Sequence, residues 1–216
     1  YYHQTQLYTG PTWHVSTEGS DTEGNGSIQF PFASIQTGLD RANESDSIIV
    51  SQGTYSENLI WRDTPGLKLF GENPITTIVD GGAVGSVLSF DVGLSGLIDS
   101  GTKIENLTLR NGNATEGGGI YCVSSNDGSI SPILSNLIIE NNHATWHGGG
   151  AYLEESDFTI QGCIFQENTA GQNGGGAYLR DYDGEILDSK FISNSAQMGG
   201  GLSFRNLNWH TYPLIT

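Results

Sequence analysis

The segments "EESD" (Glu154–Asp157) and "RDYDGE" (Arg180–Glu185) bring together residue types that can bind calcium and remove a proton from a sugar. Calcium takes several carboxylate oxygens, and a neighbouring Arg or Lys can act as the base. Set 26 residues apart, Asp157 matches Asp183 and Glu154 matches Arg180. Asp157, Asp181, Asp183 and Glu185 are therefore candidate Ca²⁺ ligands, and Arg180 is expected to pair with Glu154. The competing reading is a solvated acidic edge that discourages aggregation. A second cluster, His143, Trp146 and His147 in "NNHATWHGGG", offers two imidazoles and no third ligand, which falls short of a zinc site. It reads as a turn insertion carrying an exposed aromatic.

These groups can only meet if the chain repeats, and it does. Glycine triplets end at Gly119, Gly150, Gly176 and Gly201, at intervals of 31, 26 and 25 residues. Before each triplet lies "LTLRNGNA", "LIIENNHA", "CIFQENTA" or "SKFISNSA", ending at Ala114, Ala144, Ala170 and Ala196, at intervals of 30, 26 and 26. Two landmarks with one period define a repeat. The segments between them are short, alternating and β-prone, so a coil of about 26 residues reads as one rung of a solenoid. Equivalent side chains then stack about 4.8 Å apart. A side chain at the glycine corner would meet its own copy above and below, and a left-handed backbone is a second reason for glycine there.

The expected fold is all-β: a right-handed parallel β-helix (β-solenoid) with a short N-terminal capping helix. We read residues 1–216 as one domain, with an N-terminal arm at 1–15, the helix at 31–43, regular coils at 104–205 and a C-terminal arm at 206–216. Ser34 caps the helix, and Ile35, Leu39 and Ala42 form its apolar face. Asn142, Asn168 and Asn194 share one register position and predict an amide ladder. Alternation in "GGGAYL" puts Ala and Leu inward, so Tyr121, Tyr152 and Tyr178 form an outward aromatic ladder. That ladder either stabilises neighbouring coils or offers a platform to sugar rings. Cys122 and Cys163 fall on different strands of different coils and are expected to be buried free thiols.

With 8 Lys and Arg against 24 acids, the formal charge is −16, which disfavours nucleic acid and anionic membrane surfaces. No apolar run reaches the ~18–20 residues of a membrane span. Sequons at Asn25, Asn43, Asn106 and Asn113 mark possible glycosylation, with Asn106 in what reads as a packed strand. The terminal segments "YYHQTQLYTGPTW" and "HTYPLIT" are β-prone and free of Lys, Arg, Asp and Glu. They predict either strand addition onto a second copy, hence self-association into a filament, or a chain that is one piece of a longer stack of coils.

The repeats "GGGAYL", "FQEN" and "FISN" resemble the GGA and FxxN repeats of polymorphic outer-membrane proteins. The segment "WHVSTEGSDTEGNG…PFASIQTGLDRANESDSIIVSQGTYSENL" resembles the opening coils of secreted bacterial right-handed β-helix proteins of the pectin-lyase-like superfamily. "GTYSE" (Gly53–Glu57) resembles the G-x-Y-x-E element of pectin methylesterases, but their Q-D-T-L, D-F-I-F-G and G-R-P-W contexts are missing. Tyr55 and Glu57 therefore read as structural. The resemblance implies an extracellular or cell-surface setting and a structural or adhesive role without a cofactor. The alternatives are a carbohydrate-active enzyme, either a Ca²⁺-assisted lyase or a hydrolase, and a passive glycan-binding module.

Overall fold

Strands of three or four residues are too short to stand alone, so each must be completed by its copy in the next coil. The computed structural model describes residues 8–90, 98–124, 130–206 and 214–216. Its strands form a parallel β-solenoid of four sheets. The first sheet has eight strands: Thr12–Val15, Ser47–Val50, Lys68–Gly71, Lys103–Glu105, Ile133–Ser135, Thr159–Gln161, Glu185–Leu187 and Leu214–Ile215. Two further sheets have six strands each. The second sheet includes Ile138–Glu140, Ile164–Gln166 and Lys190–Ile192. The third includes Ile120–Val123, Ala151–Glu154 and Ala177–Arg180. A small fourth sheet, of Asn113–Glu116, His143–His147 and Thr169–Ala170, runs between the second and the third.

The corners are set by left-handed residues that recur coil after coil. Asn106, Asn136, Gly162 and Asp188 turn the chain from the first sheet to the second, with φ of 61°, 51°, 62° and 48°. Asn111, Asn141, Glu167 and Ser193 turn it again after the second sheet, with φ of 58°, 54°, 56° and 53°. Asn and Asp tolerate this region better than most side chains do, and glycine enters it freely. Asn106 thus stands at a bend between two strands, which corrects the packed-strand expectation.

The glycine triplet satisfies both geometric demands. Gly148 has φ +66°, while a Cβ on Gly149 would lie 2.4 Å from the Thr169 carbonyl oxygen and one on Gly150 would lie 2.4 Å from that of Gly176. The corner therefore packs backbone against backbone, and a methyl group there has no room.

Inside, like stacks on like. Leu134, Ile160 and Ile186 follow one another in register, as do Ile139, Phe165 and Phe191. The last two rings lie 4.8 Å apart. Cys122 and Cys163 are both free and buried. Burial pushes the Cys163 thiol up to about 12, while backbone hydrogen bonds oppose the shift.

The helix Ile35–Arg41 packs on the first coils, with Ile35, Gly38 and Leu39 buried. Ser34 caps it by accepting a hydrogen bond from the Thr37 amide, as its sequence position suggests. A second cap comes from the connection after Gly53–Tyr55, because the Glu57 carboxylate accepts from the Ile35 and Gln36 amides at 2.8 and 2.9 Å. No helix of the described residues is long and apolar enough to cross a membrane.

The described parts of both terminal segments pair within their own chain. Thr12–Val15 joins Ser47–Val50, and Leu214–Ile215 joins Glu185–Leu187. Residues 1–7 and 207–213 of the expected arms lie outside the described residues.

Candidate functional site

The outer face of the third sheet gathers the side chains closest to chemistry. Tyr121, Tyr152 and Tyr178 occupy one register position on successive coils. Their rings stack with centroids 5.8 and 5.5 Å apart. The ladder faces away from the core, but it is not an open platform. Tyr152 and Tyr178 are only 3% and 4% exposed, and the His147 imidazole stacks on Tyr178 at 4.7 Å. The cover on Tyr178 comes from the fourth sheet. His143–His147 is one of its strands rather than a turn insertion, and it holds an extra residue opposite Asn113–Glu116. Such a bulge re-aims the neighbouring side chains. His143 hydrogen-bonds to Thr169 and His147 to Asn173, while Trp146 projects outward at 52% exposure.

Beside the ladder lie two glutamates in different situations. Glu154 accepts from the Tyr152 hydroxyl at 2.5 Å and pairs with Arg180 of the next coil at 2.8 Å, the pairing that the repeat register predicts. Burial and then the bond to Glu154 raise the Tyr152 phenol. Among the described residues nothing donates a hydrogen bond to the Glu116 carboxylate. Burial and the Glu154 charge push that carboxyl above its ordinary range, and Arg180 opposes them.

Glu116 and Tyr121 border a groove of about 580 Å³ whose other walls include Ser86, Asn113, Thr115 and Thr145. The groove is pre-formed. Asn58 donates to the Gly81 and Ser86 carbonyls, and the Asn113 amide donates to that of Gly85 at 2.8 Å.

The remaining candidates serve the stack. Asn142, Asn168 and Asn194 form the expected ladder, each amide oxygen accepting from the coil before it. Asp80 binds Arg110 and Asn111 of the following coil, both at 2.9 Å. Glu140 accepts from Gln166 at 2.6 Å. Asp157, Asp181, Asp183 and Glu185 do not converge, and among the described residues no three His, Cys, Asp or Glu form a group that could hold a metal. Tyr182, between Asp181 and Asp183, turns inward to donate to the Phe158 carbonyl. Of the sequons, Asn43 and Asn113 are exposed and Asn25 is half-buried.

Sequence reasoning missed the groove, because its walls come from three separate stretches with no shared motif. It also missed Glu57 as a helix cap. The burial of that carboxyl raises its pKa against the two amide bonds.

The chain matches no protein-family model and no curated protein. Among solved structures it is similar to pectin methylesterase PemA from Erwinia chrysanthemi, with a TM-score of 0.44 and 11% identity. The match covers 85% of this chain and 66% of that one, just under two thirds of its length. A likeness this distant carries no inference about activity, and the chain's architecture stands on its own strand pairing.

Proposed function

We propose that this chain is a structural or adhesive β-solenoid of the cell surface, a rigid rod and not an enzyme. One observation carries the reading: apart from Glu116, side chains suited to chemistry are tied to the coil above or below. Glu154 is held by Arg180, Asp80 by Arg110, and Asn142 by Asn168. The surface setting rests on the resemblance of the GGA and FxxN repeats. Self-association belongs to the same reading, since among the described residues Thr12–Val15 and Leu214–Ile215 are the two edges of the first sheet and each pairs on one side only. Light scattering and negative-stain imaging of the chain, with and without residues 1–8, test this. Concentration-dependent rods that disappear on truncation support it, and monomers in both samples contradict it.

The second reading, a carbohydrate-active hydrolase, draws on Glu116 at the groove wall. Glycoside hydrolysis uses two carboxyl groups about 5–9.5 Å apart flanking the bond. Here the second carboxylate is Glu154, already neutralised by Arg180 and bonded to Tyr152. That commitment favours binding over turnover.

A further inference from the structure

We propose that the groove beside Tyr121 binds one neutral hexopyranose unit, seated on the Tyr121 ring at the level of Ser89. Among the described residues the aromatic stack runs Tyr178, Tyr152, Tyr121 and stops there. On the preceding coil the register partner of Tyr121 is Ser89, followed by Ile60. The Tyr121 ring is packed by Tyr152 on the following coil, has a small serine as its partner on the preceding one, and lines the groove. At about 580 Å³ the groove falls within the range of roughly 300–1,000 Å³ typical of small-ligand sites.

The lining selects the class of ligand. A pyranose presents a C–H face that packs on an aromatic ring and a rim of hydroxyls that need partners. Ser86, Asn113, Thr115 and Thr145 supply neutral donors and acceptors, and the Glu116 carboxylate can accept from two adjacent hydroxyls. Among the described residues no Lys or Arg lines the groove, and the chain carries a formal charge of −16, so uronate and sulfated sugars are repelled. Because the walls are braced by Asn58 and by the Asn113–Gly85 bond, the site needs no rearrangement to accept its guest.

The test uses the full chain made in a host without N-glycosylation, so that Asn113 is bare. Saturation-transfer NMR and calorimetry are run with neutral gluco-, manno- and galacto-oligosaccharides, and with oligogalacturonate as the charged counterpart. Transfer to the ring protons of at least one neutral sugar is expected, with oligogalacturonate silent. Tyr121→Ala should weaken binding about three- to tenfold, whereas Tyr121→Phe retains it. Ser89→Tyr extends the stack into the groove without removing a contact and should abolish binding, with circular dichroism verifying the fold. Unchanged binding in Ser89→Tyr, preference for oligogalacturonate, or no transfer to any neutral sugar would each overturn the proposal. Such a failure leaves the structural role intact, because that role is read from coil stability and assembly.

Discussion

Asn168 accepts two hydrogen bonds from Asn142 of the preceding coil, one from its backbone amide and one from its side chain, both at 3.0 Å. Its own amide group donates to the Ile139 carbonyl at 2.8 Å. Both residues are buried, so every one of these bonds is made away from water. Asn168→Ala orphans two donors and one carbonyl and should cost about 2–5 kcal/mol. Asn194→Ala, in the half-exposed last member of the ladder, should cost less. Urea unfolding of both variants reads the difference, and equal losses would mean that the ladder is not cooperative.

The glycine corner makes a sharper comparison. A Cβ at Gly150 would lie 2.4 Å from the Gly176 carbonyl oxygen, whereas one at Gly201, the same position two coils later, meets nothing nearer than the Phe191 Cβ at 3.3 Å. Gly150→Ala should therefore cost about 1–3 kcal/mol or more, and Gly201→Ala distinctly less. Thermal denaturation distinguishes them. If both alanines are tolerated equally, the triplets are not there to let the coils approach.

The fold was largely legible because a solenoid writes its period into the chain. Matching Tyr152 with Tyr178 and Glu154 with Arg180 needs only a 26-residue offset, and the structure pairs both. Two left-handed corners were overlooked because Asn106, Asn136, Gly162 and Asp188 share a backbone conformation rather than a residue type. The fourth sheet was missed for a related reason. One extra residue in His143–His147 makes a bulge, and in sequence a bulge looks like an insertion. The cover on Tyr178 followed from that sheet, and alternation alone cannot show what lies on top of a side chain. The groove was illegible, since Ser86, Glu116, Tyr121 and Thr145 meet only when coils of unequal length are stacked.

The pH dependence of Glu116 has a definite sign. Its carboxyl is pushed up by burial and by the charge of Glu154, so the folded chain binds this proton more tightly than the unfolded chain. Stability from this group is full at low pH and falls as pH rises from the ordinary carboxylate value through the raised one. Glu116→Gln should therefore gain on the native chain above that window and lose its advantage in acid. Chemical denaturation at a series of pH values measures the gap, and a gap that widens in acid contradicts the assignment.

The thiols offer a simple check on the core. Cys122 and Cys163 are free, fully buried and raised by burial. A thiol reagent should find neither in the native chain and both in denaturant without reductant. Titration of one or none after unfolding would reveal a bridge.

The account rests on side chains that look catalytic being ties between coils, and the Glu154–Arg180 pair is its clearest case. The decisive measurement takes the native chain, Glu154→Gln and Arg180→Gln, and follows unfolding and polysaccharide turnover side by side. Arg180→Gln leaves a largely buried carboxylate without its partner and should cost about 1–3 kcal/mol, with no unsaturated or reducing product from any of the three proteins. Turnover by the native chain that both substitutions remove, at unchanged stability, would contradict the account.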